Sequence, residues 1–220
     1  MNIVIFGPPG AGKGTQSKHI VEKFNLFQLS TGELLREEIT KNTKLGQEIS
    51  SIINTGNLVS NEIVGNLIEK YLSDEKYKNR LIFDGYPRNL IQAKSLDDVL
   101  KKNNQKIDIA LKLSVSLETI KKRISDRKNL ENRKDDNEKT AIKRFETYEK
   151  NIKPVIDFYK QSNLLKVVNG ETSISEISTE ISGLIKGIKG WLWEIRQYKC
   201  VGNKNSLIYG SYRRDKYSTK

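Results

Sequence analysis

A glycine-rich stretch at residues 7–15 is the part of the sequence best suited to chemistry. It reads Gly-Pro-Pro-Gly-Ala-Gly-Lys-Gly-Thr and lies between the apolar run Ile3–Phe6 and an amphipathic segment. Glycines let the backbone bring successive N–H groups close to an anion, and the helix that follows directs the positive end of its dipole at the same place. Lys13 adds a mobile positive charge for the outer phosphates. The stretch therefore predicts a phosphate-binding loop, in which Gly14 separates the lysine from the Thr15 hydroxyl.

Asp84 is a second candidate, because it ends the apolar stretch 80–84 and precedes the tetrapeptide Gly85-Tyr86-Pro87-Arg88. Ligands of open α/β sheets bind at the carboxyl ends of the strands. Magnesium prefers oxygen ligands from carboxylates and water. We therefore predict that Asp84 orders the water shell of Mg²⁺ beside the phosphate-binding loop. The alternative is a purely structural strand-end cap.

Two arginines lie four residues apart on a predicted helix at 117–127. Arg123 and Arg127 share one face of this helix, where like charges repel, so an anion between them is a reasonable inference. A solvated pair is the alternative. The next stretch, 128–137, is polar and turn-like, and it is too short to form a core of its own. It is predicted to be a mobile flap.

Apolar runs and helical periodicities alternate along the rest of the chain. Strands are predicted at 2–6, 27–29, 80–84, 107–113 and 164–168, with helices between them, and Pro154 is expected to break the long helix after the flap. This alternation predicts an α/β fold with a five-stranded parallel sheet flanked by helices. Residues 30–59 form a helical insertion that begins with hydroxyl caps.

The formal net charge is +12 over 220 residues, and much of it lies at the end of the chain. Residues 187–220 contain eight Lys or Arg against two acidic residues, interleaved with Trp191, Trp193, Tyr198, Tyr209, Tyr212 and Tyr217. No period is evident there, so a flexible basic extension is predicted. Such a composition can also bind RNA or a membrane surface, which is the alternative.

Cysteine content and hydropathy bound the remaining classes. A single cysteine, Cys200, allows neither an internal disulfide nor a multi-cysteine zinc site. No apolar run approaches the length of a membrane span, and the first residues enter a strand directly. We therefore expect a protein of the cytoplasm without a membrane span.

Four motifs, in order, resemble those of the adenylate kinase family in its short-lid form, as in the nucleoside monophosphate kinases. They are the loop at 7–15, Thr31-Gly32-Glu33-Leu34-Leu35-Arg36, Asp84-Gly85-Tyr86-Pro87-Arg88 and Arg133-Lys134-Asp135-Asp136-Asn137. The resemblance implies a P-loop NTPase type of core at 1–29, 60–126 and 138–186. It further implies a monophosphate-binding insertion at 30–59 and a short lid at 127–137. The extension 187–220 is not covered.

The resemblance implies reversible transfer of the terminal phosphoryl group of Mg-ATP to AMP, giving two ADP, by a monomer that uses Mg²⁺, holds no structural zinc and binds no nucleic acid. ATP would be held by Gly10, Ala11, Gly12, Lys13, Gly14, Thr15, Arg123, Arg127 and Thr172. AMP would be held by Thr31, Arg36, Asn57, Leu58, Val59, Gly85, Tyr86, Pro87, Arg88, Gln92, Arg133 and Arg144. The catalytic set would be Lys13, Asp84, Arg88, Arg123, Arg127, Arg133 and Arg144, with Asp84 reaching the metal through water.

Two alternatives remain at this point. UMP/CMP kinases share the short lid and the arginines, but they usually have alanine where Thr31 stands, and Gln92 matches the residue that reads the adenine edge of AMP. A non-catalytic nucleotide-dependent module with an RNA- or lipid-binding tail is the alternative from another class. Turnover of AMP, UMP and CMP distinguishes an adenylate kinase from a UMP/CMP kinase. Truncation at Ile185 tests the non-catalytic alternative.

Overall fold

The structure, a computed structural model, describes residues 1–131 and 138–188, with side chains at 1–126 and 140–188. Its strands are β1 (Ile3–Phe6), β2 (Phe27–Ser30), β3 (Leu81–Asp84), β4 (Ile109–Ser114) and β5 (Leu165–Asn169). They form one sheet in the order β2-β3-β1-β4-β5, and every neighbouring pair is parallel. The predicted fold class, a five-stranded parallel sheet flanked by helices, is confirmed.

Helices connect the strands and flank the sheet. They are α1 (Lys13–Phe24), α2 (Thr31–Thr40), α3 (Lys44–Asn54), α4 (Asn61–Leu72), α5 (Leu90–Lys102), α6 (Leu117–Glu131), α7 (Glu138–Gln161) and α8 (Ile174–Lys186), with a short 3₁₀ helix at Glu75–Tyr77. Helix α6 continues to Glu131, so the first residues of the predicted flap are helical. Lys, Leu and Glu in that stretch are good helix formers, which the turn-like interpretation had underrated.

The prediction that Pro154 breaks the long helix is wrong, because α7 runs through it. An interior proline costs about 3 kcal/mol. Ile152, Val155 and Tyr159 are buried on both sides of it in the same core. Each large apolar side chain contributes roughly 1.5–3 kcal/mol on burial. The packing of this helix face therefore outweighs the missing N–H.

The sheet is buried on both faces, as near-continuous apolar strands predict. Alternation along β1 sends Val4 and Phe6 to one core, with α2–α5 and α7, and sends Ile3 and Ile5 to the other, with α1 and α8. Because these strands are parallel, the carboxyl ends of β1, β2 and β3 lie at one edge of the sheet. This edge carries the loop before α1, the start of α2 and the segment after Asp84.

Short polar side chains fix the beginnings of the helices that surround this edge. Ser30, Thr43 and Ser60 accept hydrogen bonds from main-chain N–H groups at the starts of α2, α3 and α4. The insertion predicted at 30–59 thus consists of α2 and α3, and α4 returns the chain to the sheet.

The predicted lid and the basic extension fall largely on residues 132–137 and 189–220, which lie outside the described residues. Across the ranges that the structure covers, none of the helices combines the length and apolarity that a membrane crossing requires.

Candidate active site

The loop between β1 and α1 has the geometry of an anion cradle. Gly12 precedes α1 with φ +89°, a conformation that side chains rarely adopt, and no side chain caps the helix there. The N–H groups of the first turn of α1 are therefore available to a ligand. Lys13 Nζ donates to the carbonyls of Gly7 at 2.8 Å and Pro8 at 3.1 Å, which holds the ammonium over the loop.

A cleft of about 870 Å³ opens at this edge of the sheet. The predicted site residues that line it are Gly10, Ala11, Gly12, Lys13, Gly14, Thr15, Thr31, Arg36, Asn57, Leu58, Val59, Asp84, Gly85, Tyr86, Pro87, Arg88, Gln92, Arg123 and Arg144. Thr172 is exposed and is not part of the lining. The side chains of Arg127 and Arg133 lie outside the described residues. One cavity thus brings together residues from both predicted nucleotide sites.

Asp84 lies beside the phosphate-binding loop, at the end of β3. Its carboxylate accepts a hydrogen bond of 3.0 Å from Gln28 Nε2 on β2. A Cβ added at Gly14 would be 3.8 Å from Asp84 Oδ2, so the carboxylate adjoins the start of α1. Gln28 was missed by sequence analysis, because a polar residue in a short strand carries no signal of a contact made across the sheet.

The oxygen donors near Asp84 fit magnesium. The Asp84 carboxylate and the Thr15 hydroxyl line the same cleft, and Mg²⁺ is usually bound by one or two protein oxygens together with water and substrate phosphates. No group of three or more His, Cys, Asp or Glu side chains assembles within the described residues. The donor set therefore suits a metal carried with a phosphorylated substrate.

Gly85 organises the turn that follows Asp84. Its φ is +78°, and a Cβ there would be 2.9 Å from Thr31 Oγ1. Its carbonyl accepts hydrogen bonds from Thr31 Oγ1 at 2.9 Å and from Arg88 Nε at 2.7 Å. The absence of a side chain at Gly85 thus lets α2 and the Arg88 turn converge on one carbonyl oxygen.

Three guanidinium groups influence one another at this side of the cleft. Removal from bulk water lowers the pKa of Arg88 first, repulsion from Arg144 and Arg36 lowers it further, and attraction to Asp84 opposes the shift. Although protein atoms surround the Arg88 guanidinium closely, the residue is still exposed to the solvent of the open cleft, so water screens this repulsion and the guanidinium stays protonated. Three positive charges gathered on one side of the cleft favour an anion there.

The tyrosines in the wall of the cleft stay neutral. Burial raises the pKa of Tyr86 to about 12, against a smaller opposing effect of a hydrogen bond with Ser95. Burial also raises the pKa of Tyr148, and the nearby Glu149 raises it further. The phenols therefore add no negative charge beside the guanidinium groups at neutral pH.

A ring of carboxamides occupies the other end of the Arg88 turn. Gln92 is 3% exposed, and its Oε1 accepts from the main-chain N–H of Arg88 at 2.8 Å. Its Nε2 donates to Asn61 Oδ1 at 2.9 Å, and Asn89 Nδ2 donates to the same oxygen at 2.9 Å. Asn61 was not predicted as a site residue, because its sequence context indicates only the start of a helix.

Arg123 is held on the opposite flank of the cleft. Its Nη2 donates to the Gly170 carbonyl at 2.9 Å, in the turn after β5. Glu171 fixes this turn to the start of α6 by accepting from the main-chain N–H of Ser116 and from Thr119 Oγ1. Arg123 thus has a defined position in the described part of the site, whereas the predicted pairing with Arg127 stays a prediction.

These features define a class of protein. A glycine-rich loop with a lysine follows a central parallel strand, an acid ends the adjacent strand, and arginines line the cleft between them. This is a P-loop phosphoryl-transfer site.

Comparison with known sequences gives the family. The family model described as Adenylate kinase matches residues 5–164. An adenylate kinase of Pelagibacter ubique (strain HTCC1062) is 41% identical over 212 residues, which cover 84% of this chain and 100% of the relative. An adenylate kinase of Maricaulis maris (strain MCS10) is 41% identical over 186 residues, covering 84% of this chain and 99% of the relative. The chain belongs to the adenylate kinase family, and the predictions of family and enzyme class are confirmed.

The relatives differ in length. The alignment with the Pelagibacter protein spans 212 positions and the alignment with the Maricaulis protein 186, yet both cover 84% of this chain. The first relative therefore carries residues that have no counterpart here, and the second carries few or none. This chain matches the shorter form.

Proposed function

We propose that this chain transfers the terminal phosphoryl group of Mg-ATP reversibly to AMP, giving two ADP, as a monomer in the cytoplasm. The observation that carries the proposal is the single cleft in which the phosphate-binding loop and the group Arg36, Arg88 and Arg144 face the same space. A donor phosphate and an acceptor phosphate can meet there. Membership of the adenylate kinase family supports the same reaction.

ATP is assigned to the side of the cleft formed by α1 and α6. The amides at residues 10–15 and the Lys13 ammonium bind its phosphates, and Arg123 binds beside them. Arg127 and the main chain of Thr172 are assigned to ATP on the sequence pattern alone. Asp84 is assigned to the Mg²⁺ that accompanies ATP, which it would reach through the water shell of the metal.

AMP is assigned to the side formed by α2, the end of α3 and the turn after β3. Arg36, Arg88 and Arg144 bind its phosphate, and Thr31 and Gln92 lie toward the nucleoside. Residues 57–59 and 85–87 complete the walls, and Arg133 is added on the sequence pattern. We retain 30–59 as the monophosphate-binding insertion, 127–137 as the lid and 187–220 as an extension of the core.

The chemistry follows from charge and position. The phosphate of AMP is already an anionic nucleophile, so no general base is needed. One of its oxygens forms a bond to the terminal phosphorus of ATP, and the bond from that phosphorus to the bridging oxygen breaks, so ADP leaves with the electron pair. The lysine and arginines stabilise the charge on the transferring group and hold the two phosphates in line. Magnesium, when bound, neutralises phosphate charge on the ATP side.

Water must be excluded from this cleft during transfer, because ATP would otherwise be hydrolysed. The insertion formed by α2 and α3 borders AMP, and the lid assigned at 127–137 borders ATP. We propose that both segments close over the bound nucleotides.

A coupled assay of ADP formation with ATP, Mg²⁺ and each monophosphate tests the proposal. We expect AMP to be the preferred acceptor, with UMP and CMP far slower, and no ADP formation when Mg²⁺ is chelated. Preference for a pyrimidine monophosphate would reassign the substrate to UMP or CMP. ATP hydrolysis without transfer to any monophosphate would contradict the kinase assignment. A chain ending at Ile185 should retain the full rate.

A further inference from the structure

The amides around Gln92 form a closed ring whose polarity is fixed at two points by the main chain. The main-chain N–H of Gln92 donates to Asn89 Oδ1 at 2.9 Å, which leaves Asn89 Nδ2 to donate to Asn61 Oδ1 at 2.9 Å. The same Asn61 oxygen accepts from Gln92 Nε2 at 2.9 Å. Gln92 Oε1 then accepts from the main-chain N–H of Arg88 at 2.8 Å.

Only one orientation of the Gln92 carboxamide satisfies this ring. A main-chain N–H is always a donor, so an oxygen must face it both at Asn89 and at Gln92. If the Gln92 carboxamide turned by 180°, its oxygen would face the Asn61 oxygen and its NH₂ group would face the Arg88 N–H. An acceptor would then face an acceptor and a donor would face a donor. The free-energy cost of such unsatisfied polar groups exceeds the net contribution of one hydrogen bond.

The fixed orientation leaves a defined pattern for a ligand. A carboxamide has two N–H donors and two acceptor lone pairs, and the ring uses one of each. Gln92 lines the cleft together with the buried apolar residues Leu35, Val59 and Val64, which suits a flat heteroaromatic base. One N–H and one lone pair, in a fixed order, can then meet the edge of that base.

We propose that Asn61 is a positioning residue that fixes the Gln92 carboxamide and so selects a 6-amino over a 6-oxo purine monophosphate, an inference that rests on the proposed AMP site. Adenine presents a donor at N6 and an acceptor at N1, whereas hypoxanthine presents an acceptor at O6 and a donor at N1. The two bases need opposite orientations of the carboxamide. A freely turning Gln92 serves both, and a fixed Gln92 serves one.

The test compares kcat/KM for AMP with kcat/KM for IMP, at saturating ATP, in the full chain. Asn61 is an exposed residue in the first turn of α4, and alanine is well tolerated there. Asn61→Ala removes one of the two contacts that fix Gln92. We expect the AMP/IMP ratio to fall about fivefold, the factor that corresponds to about 1 kcal/mol for one net hydrogen bond. An unchanged ratio in a folded Asn61→Ala protein would overturn the inference.

Two matched variants separate positioning from structure. Asn61→Asp keeps an oxygen that accepts from both amides, so the ratio should stay within about twofold of the original. Ser60→Ala removes the hydroxyl that caps the same helix, 3.3 Å from the N–H of Ile63, without touching the ring. It should lower the melting temperature and leave the ratio unchanged. A fall in the ratio with Ser60→Ala as large as with Asn61→Ala would contradict the inference.

A polarity reversal provides a second variant if Asn61→Ala does not fold. Asn61→Lys places a donor where the ring needs an acceptor, which favours the turned carboxamide, and the ratio should fall at least as far. A folded Asn61→Lys protein with the original ratio would also overturn the inference. The activity of the unmodified chain separates a failure of the proposed function from a failure of the role given to Asn61. If it turns over no AMP, the proposed function fails. If it turns over AMP while the variants keep its preference, only the role of Asn61 fails.

Discussion

The two ends of the proposed monophosphate side of the cleft differ in how their polar groups are satisfied. At the proposed phosphate end, burial and then repulsion from Arg144 and Arg36 lower the pKa of Arg88, and an anion bound there would relieve the repulsion. At the other end, the carboxamides of Asn61, Asn89 and Gln92 satisfy one another. The first end gains from any anion, whereas the second constrains the polarity of its partner. Affinity and selectivity are therefore built from different physics within one site.

Arg88 belongs to both ends, but through different atoms. Its guanidinium donates to the Gly85 carbonyl, whereas its main-chain N–H donates to Gln92 Oε1. A substitution at this position removes the first function and keeps the second. The comparison between the two ends can therefore be tested by single substitutions.

The largest effect is expected from Arg88→Ala. The loss of one positioned cation should lower kcat about 10²- to 10³-fold, because charge that develops during transfer loses a donor. The AMP/IMP ratio should stay unchanged, since alanine keeps the main-chain N–H. The melting temperature should change little, because the relief of repulsion offsets the lost hydrogen bond to the Gly85 carbonyl. Steady-state rates measure kcat and the AMP/IMP ratio, and thermal unfolding measures the melting temperature.

Arg80→Ala is the matched control for that substitution. Arg80 Nη2 donates to the Asn25 carbonyl at 2.8 Å, away from the cleft lining. Its removal should change stability and leave kcat within about twofold. If Arg88→Ala retains nearly the original kcat, the phosphate end is wrongly assigned.

A smaller effect is expected at Gly85, whose carbonyl receives both Thr31 and Arg88. Gly85→Ala introduces a Cβ at φ +78°, 2.9 Å from Thr31 Oγ1, and should lower the free energy of unfolding by about 1–3 kcal/mol. The rate should fall as well, because the same Cβ would lie 3.1 Å from Arg88 Nη2 and displace the guanidinium. Denaturant unfolding checks the first effect and the coupled assay the second.

Gly65→Ala is the control for strain. Gly65 lies within α4, and a Cβ there would meet nothing within 4 Å. We expect Gly65→Ala to raise the free energy of unfolding by about 0.5–1 kcal/mol, since alanine is the better helix former. Loss of stability at both glycines would show that the cost at Gly85 is not conformational.

The smallest effect is expected on the ATP side, at Glu171. Hydrogen bonds from Thr119 and from the main chain of Ser116 lower the pKa of the Glu171 carboxyl from its ordinary 4.5. A lowered pKa means that the ionised carboxylate stabilises the fold above pH 4.5 and that this contribution is lost as the pH falls through the folded value. The melting temperature of Glu171→Gln should therefore lie below that of the original chain at pH 7 and approach it in acid.

Thr119→Val sharpens this test, because it removes the hydroxyl that donates to Glu171 Oε2 at 2.6 Å. The double variant should lose less stability than the sum of the two single variants. A pH-independent difference between Glu171→Gln and the original chain would contradict the role of the carboxylate. The AMP/IMP ratio should stay constant throughout, since Glu171 lies on the opposite flank.

Local patterns in the sequence were sufficient to predict the five-stranded sheet and the helices between its strands. The apolar run of β1 depends on neighbouring residues, so the strand predicted at 2–6 lies within one residue of the observed Ile3–Phe6. Pro154 was misjudged because its tolerance depends on Ile152, Val155 and Tyr159 packing against a distant part of the chain. Intrinsic preference predicts a break there, and tertiary packing overrides it.

The candidate site also contains residues that local sequence patterns predict and residues that only the fold brings together. Lys13 and the glycines around it predict a phosphate-binding loop, because the backbone conformation of such a loop requires glycine. Asn61 and Gln28 give no such signal, since their contacts with Gln92 and Asp84 join residues 31 and 56 positions apart. Side-chain amides of this kind occur everywhere on protein surfaces, and only the fold distinguishes these two.

The lysine of the phosphate-binding loop has a consequence for measured affinities. Lys13 is already bonded to the carbonyls of Gly7 and Pro8. A phosphate bound at this loop would therefore share the ammonium with internal acceptors, and the free energy gained on binding would be the difference between two sets of hydrogen bonds. The two carbonyls would hold the ammonium over the loop before a nucleotide binds, so less side-chain freedom would be lost on binding.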